Sequence, residues 1–174
     1  MTEYVAIRTL QSSDVEDYRT IRLSALKTEP GAFGSIYAVE VAWPIEQHAA
    51  RLSSSLVIGA YVGSRIVGMI GLKRELGRKH EHKGFMWGFY VEPDYRKQGV
   101  GRVLLTALLD AAKKHVEQIM LTVVENNAPA IALYEQVGFV RYGLEPRSLK
   151  DASGYTDQVL MALIFPSTAD WLRT

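Results

Sequence analysis

The sequence VEPDYRKQGVGRVL, residues 91–104, joins an apolar run to a strongly helical one. Two glycines, Gly99 and Gly101, lie at the junction among basic residues, namely Arg96, Lys97 and Arg102. Glycine weakens the start of a helix, so its presence there indicates that something comes close to the main chain. Since a helix N-terminus carries exposed N–H groups and a positive dipole end, this junction predicts an anion-binding loop.

Composition narrows the classes of protein that this chain can be. Its 174 residues fit one domain, and 48% of them are hydrophobic, which is enough for a real core. The net charge of +1 argues against a nucleic-acid binder, and the absence of cysteine excludes disulfides and thiolate zinc sites. His80 and His82 have no evident third ligand, so no metal site is predicted.

Neither a basic-then-apolar leader nor a long apolar run is found in the sequence. The N-terminus reads MTEYVAIRTL, and no apolar stretch approaches the ~20 residues that a membrane span needs. We therefore expect a cytoplasmic protein without a membrane partner.

Hydrophobic periodicity predicts the element order β-α-α-β-β-β-α-β-α-β-β. The predicted strands cover residues 4–10, 56–62, 66–73, 85–91, 119–124, 139–144 and 158–165, and the predicted helices cover 14–27, 45–53, 103–115 and 130–137. An antiparallel meander followed by one β-α-β crossover places the chain in the α/β (α+β) class. We expect a single domain over residues 1–165 and a C-terminal tail over 166–174.

Two nucleotide-binding motifs are excluded because the residues at their defining positions differ. A phosphate-binding Walker loop needs a lysine and a serine or threonine after its second glycine, but Arg102 and Val103 follow here. A dinucleotide-binding loop needs a third glycine where Leu104 stands.

The pattern Arg-x-x-Gly-x-Gly after a strand ending in Val-x-Pro resembles the acetyl-CoA loop of the GNAT superfamily of N-acyltransferases. The stretch LTVVENNAPAIALYEQVGF, residues 121–139, resembles the second signature of that family, and the element order is also similar. The resemblance spans residues 4–165. It implies a mixed, mostly antiparallel sheet with helices on both faces, acetyl-CoA as co-substrate, and a homodimer as a family-level expectation.

The resemblance also implies which residues bind the donor. The pyrophosphate would lie on the loop, and the pantetheine arm would pair with the end of the strand before it. These residues are Phe89, Tyr90, Val91, Arg96, Lys97, Gln98, Gly99, Val100, Gly101 and Arg102. Asn127 would reach a pantetheine amide or cap its helix. Tyr134, seven residues later and therefore about 10 Å away on the same helix face, would be the general acid that protonates the departing thiolate.

The general base is left open. Related protein N-terminal acetyltransferases carry a glutamate where this chain has Thr122. The remaining candidates are Glu92, Glu81, His82, Asp157 and a water chain.

The acceptor site is predicted in the segment of residues 27–43, KTEPGAFGSIYAVEVAW. Its aromatic side chains indicate a pocket lining, and a carboxylate among them would attract an ammonium group. The predicted substrate-binding residues are Phe33, Glu40 and Trp43.

We therefore expect an N-acetyltransferase that acts on a small molecule with a primary amine. One alternative is a protein N-terminal acetyltransferase, which shares the cofactor but needs an open peptide groove. A second alternative is a non-catalytic acyl-CoA sensor on the same fold.

Overall fold

The chain alternates strands and helices in the predicted order. A computed structural model describes residues 4–166. Its elements are β1 (Val5–Thr9), α1 (Val15–Thr28), α2 (Tyr37–Glu40), α3 (Ile45–Ser53), β2 (Leu56–Val62), β3 (Arg65–Arg74), β4 (Lys83–Val91), α4 (Val100–Ala112), β5 (Gln118–Val124), α5 (Ala128–Gln136), β6 (Val140–Asp151) and β7 (Gly154–Ile164). Apart from three short 3₁₀ turns among the described residues, the structure adds α2 to the predicted order, a single helical turn inside the 27–43 segment.

The described residues form two compact units, of which the first comprises residues 4–73 and 86–110. In this unit β1 is antiparallel to β2, and β2 is antiparallel to β3 across the turn at Gly63 and Ser64. The later part of β4 follows β3 in the strand order. Helix α1 buries residues three or four apart, as an amphipathic helix does. They join a core of ten buried side chains, namely Leu10, Tyr18, Ile21, Ala25, Leu52, Val57, Tyr61, Ile66, Met69 and Tyr90.

The second unit comprises residues 74–85 and 111–166. The first three residues of β4 pair in parallel with β5, from Lys83↔Gln118 to Phe85↔Met120. Strand β7 is antiparallel both to β5 and to β6. The β4–β5 pair is the predicted β-α-β crossover, with α4 as its helix. The prediction of a mixed, mostly antiparallel sheet is therefore confirmed.

The last two strands are longer than predicted. Strand β6 continues to Asp151 rather than ending at Leu144, and β7 begins at Gly154 rather than at Gln158. Most of β6 is exposed, so no apolar alternation indicated its second half. The turn between β6 and β7 does have a sequence signature, because the Asp151 carboxylate accepts hydrogen bonds from Ser153, as aspartate often does in turns.

The C-terminal prediction concerns residues 166–174, of which 167–174 lie outside the described residues. The division into one domain and a tail stays a prediction. Within residues 4–166, no helix is long and apolar enough to cross a membrane. The same residues contain no cluster of three or more histidine and carboxylate side chains that could hold a metal ion.

Candidate active site

The glycine loop, residues 92–99, connects β4 to α4. Lys97 and Gly99 adopt left-handed conformations, with φ of 59° and 84°. Backbone turned in this way directs neighbouring N–H groups toward an anion, and the N-terminal end of α4 follows at Val100. A Cβ atom added to Gly99 would meet nothing within 4 Å. The loop therefore offers bare main chain and open space, which suits a phosphate.

Two of the polar side chains predicted to bind the donor hold the glycine loop in shape. Arg96 donates from Nε to the carbonyl oxygen of Val91 at 2.8 Å and from Nη1 to a Glu29 carboxylate oxygen at 2.7 Å. Gln98 donates to the carbonyl oxygen of Asp94 at 2.7 Å. The Val100 side chain is buried, so only its backbone can meet a ligand. These contacts give Arg96 a bracing role at the edge of the predicted phosphate site.

Strand β4 becomes irregular just before its predicted pantetheine-binding residues, Phe89, Tyr90 and Val91. Gly88 has a φ of 64°, and a Cβ atom there would lie 3.0 Å from Met69 and 3.8 Å from Nη1 of Arg22. A left-handed residue within a strand changes the direction of its backbone groups, as a bulge does. Gly88 therefore lies where the predicted pairing with an extended amide chain would begin.

Asn127 and Tyr134 belong to the second unit, on helix α5. Asn127 is the N-cap, and its Oδ1 accepts a hydrogen bond from the backbone N–H of Ala130 at 3.3 Å. Tyr134 is buried, with its ring 5.8 Å from that of Phe139. Burial raises the pKa of the Tyr134 phenol well above its ordinary value, so the phenol keeps its proton at neutral pH.

The 27–43 segment contributes to a charged cluster in the first unit. Glu40 is buried and forms a two-bond ion pair with Arg22, from Nε at 2.9 Å and from Nη2 at 2.8 Å. Arg51 donates to the same carboxylate from Nη1 at 2.7 Å. Burial alone would raise the pKa of Glu40, but the hydrogen bonds and charges of the two arginines outweigh it and lower that pKa to about 2.

Glu40 therefore has a different role from the one its sequence position suggests. Its negative charge is already compensated inside the protein and does not face an incoming ammonium group. We name Arg22, Glu40 and Arg51 the charge cluster. Phe33 packs against the core with Arg22 5.5 Å from its ring centroid, and Trp43 lies under Arg51 at 4.4 Å. The structure thus brings Phe33, Glu40 and Trp43 together around two arginines.

The two arginines are functional candidates that the sequence prediction missed. Arg22 lies on the buried face of α1, one turn after Tyr18. Because arginine is almost never fully buried without a partner, that position could have indicated a buried carboxylate. No sequence rule named Glu40, 18 residues away, as that partner.

The four candidate bases have different surroundings. Glu92 is half-buried at the end of β4, where it accepts hydrogen bonds from Ser24 at 2.7 Å and from Tyr90 at 3.1 Å. Glu81 is exposed, His82 is half-buried, and Asp157 accepts from the backbone N–H of Arg147 at 2.7 Å. Among these four, Glu92 is the carboxylate that directly follows the predicted donor-binding strand.

Comparison with known proteins identifies relatives for most of the chain. Residues 20–139 match the Acetyltransferase (GNAT) family. An N-alpha-acetyltransferase RimI of Mycobacterium tuberculosis is 37% identical over 118 residues, which are 66% of this chain and 73% of that protein. The ribosomal protein bS18-alanine N-acetyltransferase of Escherichia coli K12 is 39% identical over 79 residues, 45% of this chain and 53% of that enzyme. An uncharacterized Mycobacterium leprae protein is 40% identical over 107 residues, 60% of this chain but only 29% of its own length.

Solved structures agree with this assignment. The ribosomal-protein-S18-alanine N-acetyltransferase of E. coli superposes with a TM-score of 0.72 at 25% identity, covering 94% of this chain and 96% of that one. A GNAT acetyltransferase of Streptococcus pneumoniae gives a TM-score of 0.82 at 21% identity, covering 93% and 100%. The predicted family, its fold and its acetyl-CoA co-substrate are confirmed by these matches.

Proposed function

Because the chain belongs to the acetyltransferase (GNAT) family, we propose that it moves the acetyl group of acetyl-CoA to the N-terminal α-amine of a polypeptide. One observation carries the choice of acceptor: the 37% identity over 118 residues with an N-alpha-acetyltransferase. The proposal thus adopts the protein N-terminal acetyltransferase, which the sequence left as an alternative. The small-molecule acetyltransferase, which the sequence favoured, becomes the second candidate.

The first unit would hold the donor. Backbone N–H groups of the glycine loop and of the start of α4 would bind the pyrophosphate, with Lys97 and Arg102 adding positive charge. The main chain of Phe89, Tyr90 and Val91 would pair with the pantetheine amides, as an added strand does. The left-handed Gly88 supports this role, since it redirects the backbone just before these residues.

Tyr134 would supply the proton that the reaction needs. The amine nitrogen bonds to the thioester carbon, the carbon–sulfur bond breaks, and the sulfur leaves with the bonding electrons. The Tyr134 phenol is protonated at neutral pH and can give its proton to that sulfur if it lies beside it.

Glu92 would accept the proton that the attacking amine loses. Its carboxylate already accepts two hydroxyl hydrogen bonds, which fix its position at the end of β4. Asn127 would combine its capping role with a contact to pantetheine.

A small-molecule amine remains the second candidate acceptor. The observation in its favour is Thr122, which stands where related protein N-terminal acetyltransferases carry a glutamate. The aromatic side chains around the charge cluster also suit a compact acceptor.

A panel of amines tests the proposal. Purified protein is given acetyl-CoA together with alanine-initiated peptides, the same peptides with a blocked N-terminus and an internal lysine, and simple primary amines. Thiol release and mass spectrometry should show acetyl on the free N-terminus and none on the blocked peptide. Acetylation of simple amines alone would favour the second candidate. Tight CoA binding without transfer to any amine would favour the sensor.

A further inference from the structure

The charge cluster carries more positive than negative charge. Two guanidinium groups share one carboxylate, and His48 beside them is kept neutral because burial lowers its pKa. The surplus is therefore one positive charge. A cluster that leaves a charge uncompensated in a partly buried position is expensive unless a counter-ion completes it.

That surplus lies on Arg51. The side chains of Arg22 and Glu40 are only 4% and 2% exposed, whereas that of Arg51 is 31% exposed. Glu40 engages Arg51 through Nη1 alone among the described contacts, and the guanidinium lies over the Trp43 ring at 4.4 Å. A guanidinium fixed in this way is ready to bind a second planar anion with little loss of side-chain freedom.

Two buried polar atoms next to Arg51, one on Tyr18 and one on His48, also bear on which ligand could bind there. Neither the Tyr18 hydroxyl nor His48 Nδ1 forms a hydrogen bond of good geometry within residues 4–166, although the Arg51 side chain interacts with that hydroxyl. The two rings lie 6.2 Å apart. Since His48 Nε2 lies 3.1 Å from the carbonyl oxygen of Glu40, it carries the hydrogen, and Nδ1 is an acceptor. Of this pair, only the Tyr18 hydroxyl can donate to a carboxylate, because both His48 Nδ1 and a carboxylate are acceptors. Buried polar atoms without partners are rare, and they point to a missing ligand or water.

The cluster lies against the strand that would hold the thioester. Trp87 of β4 is 5.9 Å from the Arg51 guanidinium and 5.7 Å from that of Arg22. Phe89, the first predicted donor-binding residue, follows two positions later, which is about 7 Å along a strand. A group bound at Arg51 would therefore lie within reach of a reacting amine.

We propose that Arg51 is a specificity-determining residue that binds a carboxylate of the acceptor, assisted by the Tyr18 hydroxyl. This inference rests on the proposed acetyl transfer to an amine. The carboxylate has two sources: an acidic side chain next to the N-terminal residue of a peptide, or the α-carboxylate of a free amino acid. Glu40 keeps Arg51 in position and leaves the rest of its guanidinium for the acceptor.

The test compares pairs of acceptors that differ only in the carboxylate. One pair is an Ala-Glu-initiated peptide amide and its Ala-Gln counterpart, and the other pair is alanine and alaninamide. For the wild-type protein we expect kcat/KM to favour the carboxylate of at least one pair by about 10- to 100-fold, as one or two charge-assisted hydrogen bonds allow. Arg51→Gln should abolish that ratio, whatever its effect on the absolute kcat/KM of the two partners. Arg51→Lys should restore it in part.

Arg8→Gln is the matched control. Arg8 also donates to a carboxylate, at 2.8 Å from Asp14, and also lies over an aromatic ring, at 4.3 Å from that of Tyr61. It has no contact with the charge cluster in the described structure, so its removal should leave the ratio unchanged. The ratio separates recognition from stability, because a purely structural loss lowers both members of a pair equally.

Each result decides one point. Preference for the Glu peptide assigns a side-chain carboxylate, and preference for alanine over alaninamide assigns an α-carboxylate. Transfer without preference in either pair, or a preference that survives in Arg51→Gln, overturns the inference while the proposed function stands. Failure of every amine to accept the acetyl group overturns the proposed function, and this inference with it.

Discussion

At the scale of single residues, Gly99 controls how closely a phosphate can approach the glycine loop. Valine there would place a branched side chain in the open space and strain a left-handed backbone. We expect Gly99→Val to weaken CoA binding at least tenfold by calorimetry, because hydrogen bonds to a charged phosphate contribute about 1.5–3 kcal/mol each.

Gly63 offers a matched control for that substitution. It also has a left-handed φ, of 58°, and open space at Cβ, but it lies in the β2–β3 turn. Gly63→Val should lose comparable stability and keep its CoA affinity. Equal affinities for the two variants would contradict the phosphate assignment.

Tyr134 is the second residue whose chemistry can be tested alone. Tyr134→Phe keeps the ring and its contact with Phe139 but removes the phenolic proton. We expect kcat to fall by roughly 100-fold, as for a lost general acid, with the Kd for acetyl-CoA nearly unchanged. Tyr61→Phe removes another buried hydroxyl, one bound to Asp17, and should leave kcat alone. If kcat is unaffected while Tm drops, Tyr134 is a packing residue.

At the scale of elements, Asn127 combines two roles that separate by substitution. Asn127→Asp keeps the oxygen that caps α5 but removes the amide N–H groups. Asn127→Ala removes both and should cost about 1 kcal/mol of stability. We expect the aspartate variant to keep its Tm and to raise the KM for acetyl-CoA. A normal KM for acetyl-CoA in the aspartate variant would mean that Asn127 only caps α5 and does not contact pantetheine.

Elements with an apolar face could be predicted closely. Helix α3 and strand β2 begin and end where the sequence predicted them, because α3 buries one face and β2 buries both. The second half of β6 was missed, since it is held by pairing with β7 and is largely exposed. Main-chain hydrogen bonding leaves no hydrophobic pattern in a sequence.

The candidate site was likewise predicted from the sequence only in part. Bare backbone at Gly99 could be read from the chain because glycine at a helix start needs a local reason. The charge cluster could not, since Arg22, Glu40 and Arg51 come from three helices and meet only after folding. Charged residues in a sequence are usually exposed, so the pattern favoured a free carboxylate at Glu40.

At the scale of the whole molecule, the charge cluster predicts an acid limit to stability. The folded-state pKa of Glu40 is about 2, below the 4.5 of an unperturbed glutamate, so the unfolded chain binds its proton first as pH falls. The stabilisation is complete above pH 4.5 and disappears between there and about pH 2. Its size is on the order of 3 kcal/mol.

Chemical unfolding at several pH values checks this limit. Glu40→Gln leaves Arg22 and Arg51 without their counter-charge and should be less stable by about 3–5 kcal/mol at pH 7. The difference from wild type should narrow below pH 4.5. His48 also faces the cluster, and its lowered pKa removes stability in both proteins below about pH 6.5. A gap that stays constant down to pH 3 would contradict the assignment to Glu40.

The ion pair between Arg96 and Glu29 has a consequence for how the binding of one substrate affects the binding of the other. Glu29 ends α1 within the 27–43 segment, and Arg96 belongs to the glycine loop, so a 2.7 Å contact ties the two regions. A donor phosphate attracts the same guanidinium and competes with Glu29 for it. Any effect of the donor on acceptor affinity returns by the same factor in the other direction, because thermodynamic linkage is reciprocal. The two substrates are therefore expected to bind with synergy or antagonism, and Glu29→Gln should make the Kd of each substrate less dependent on the presence of the other.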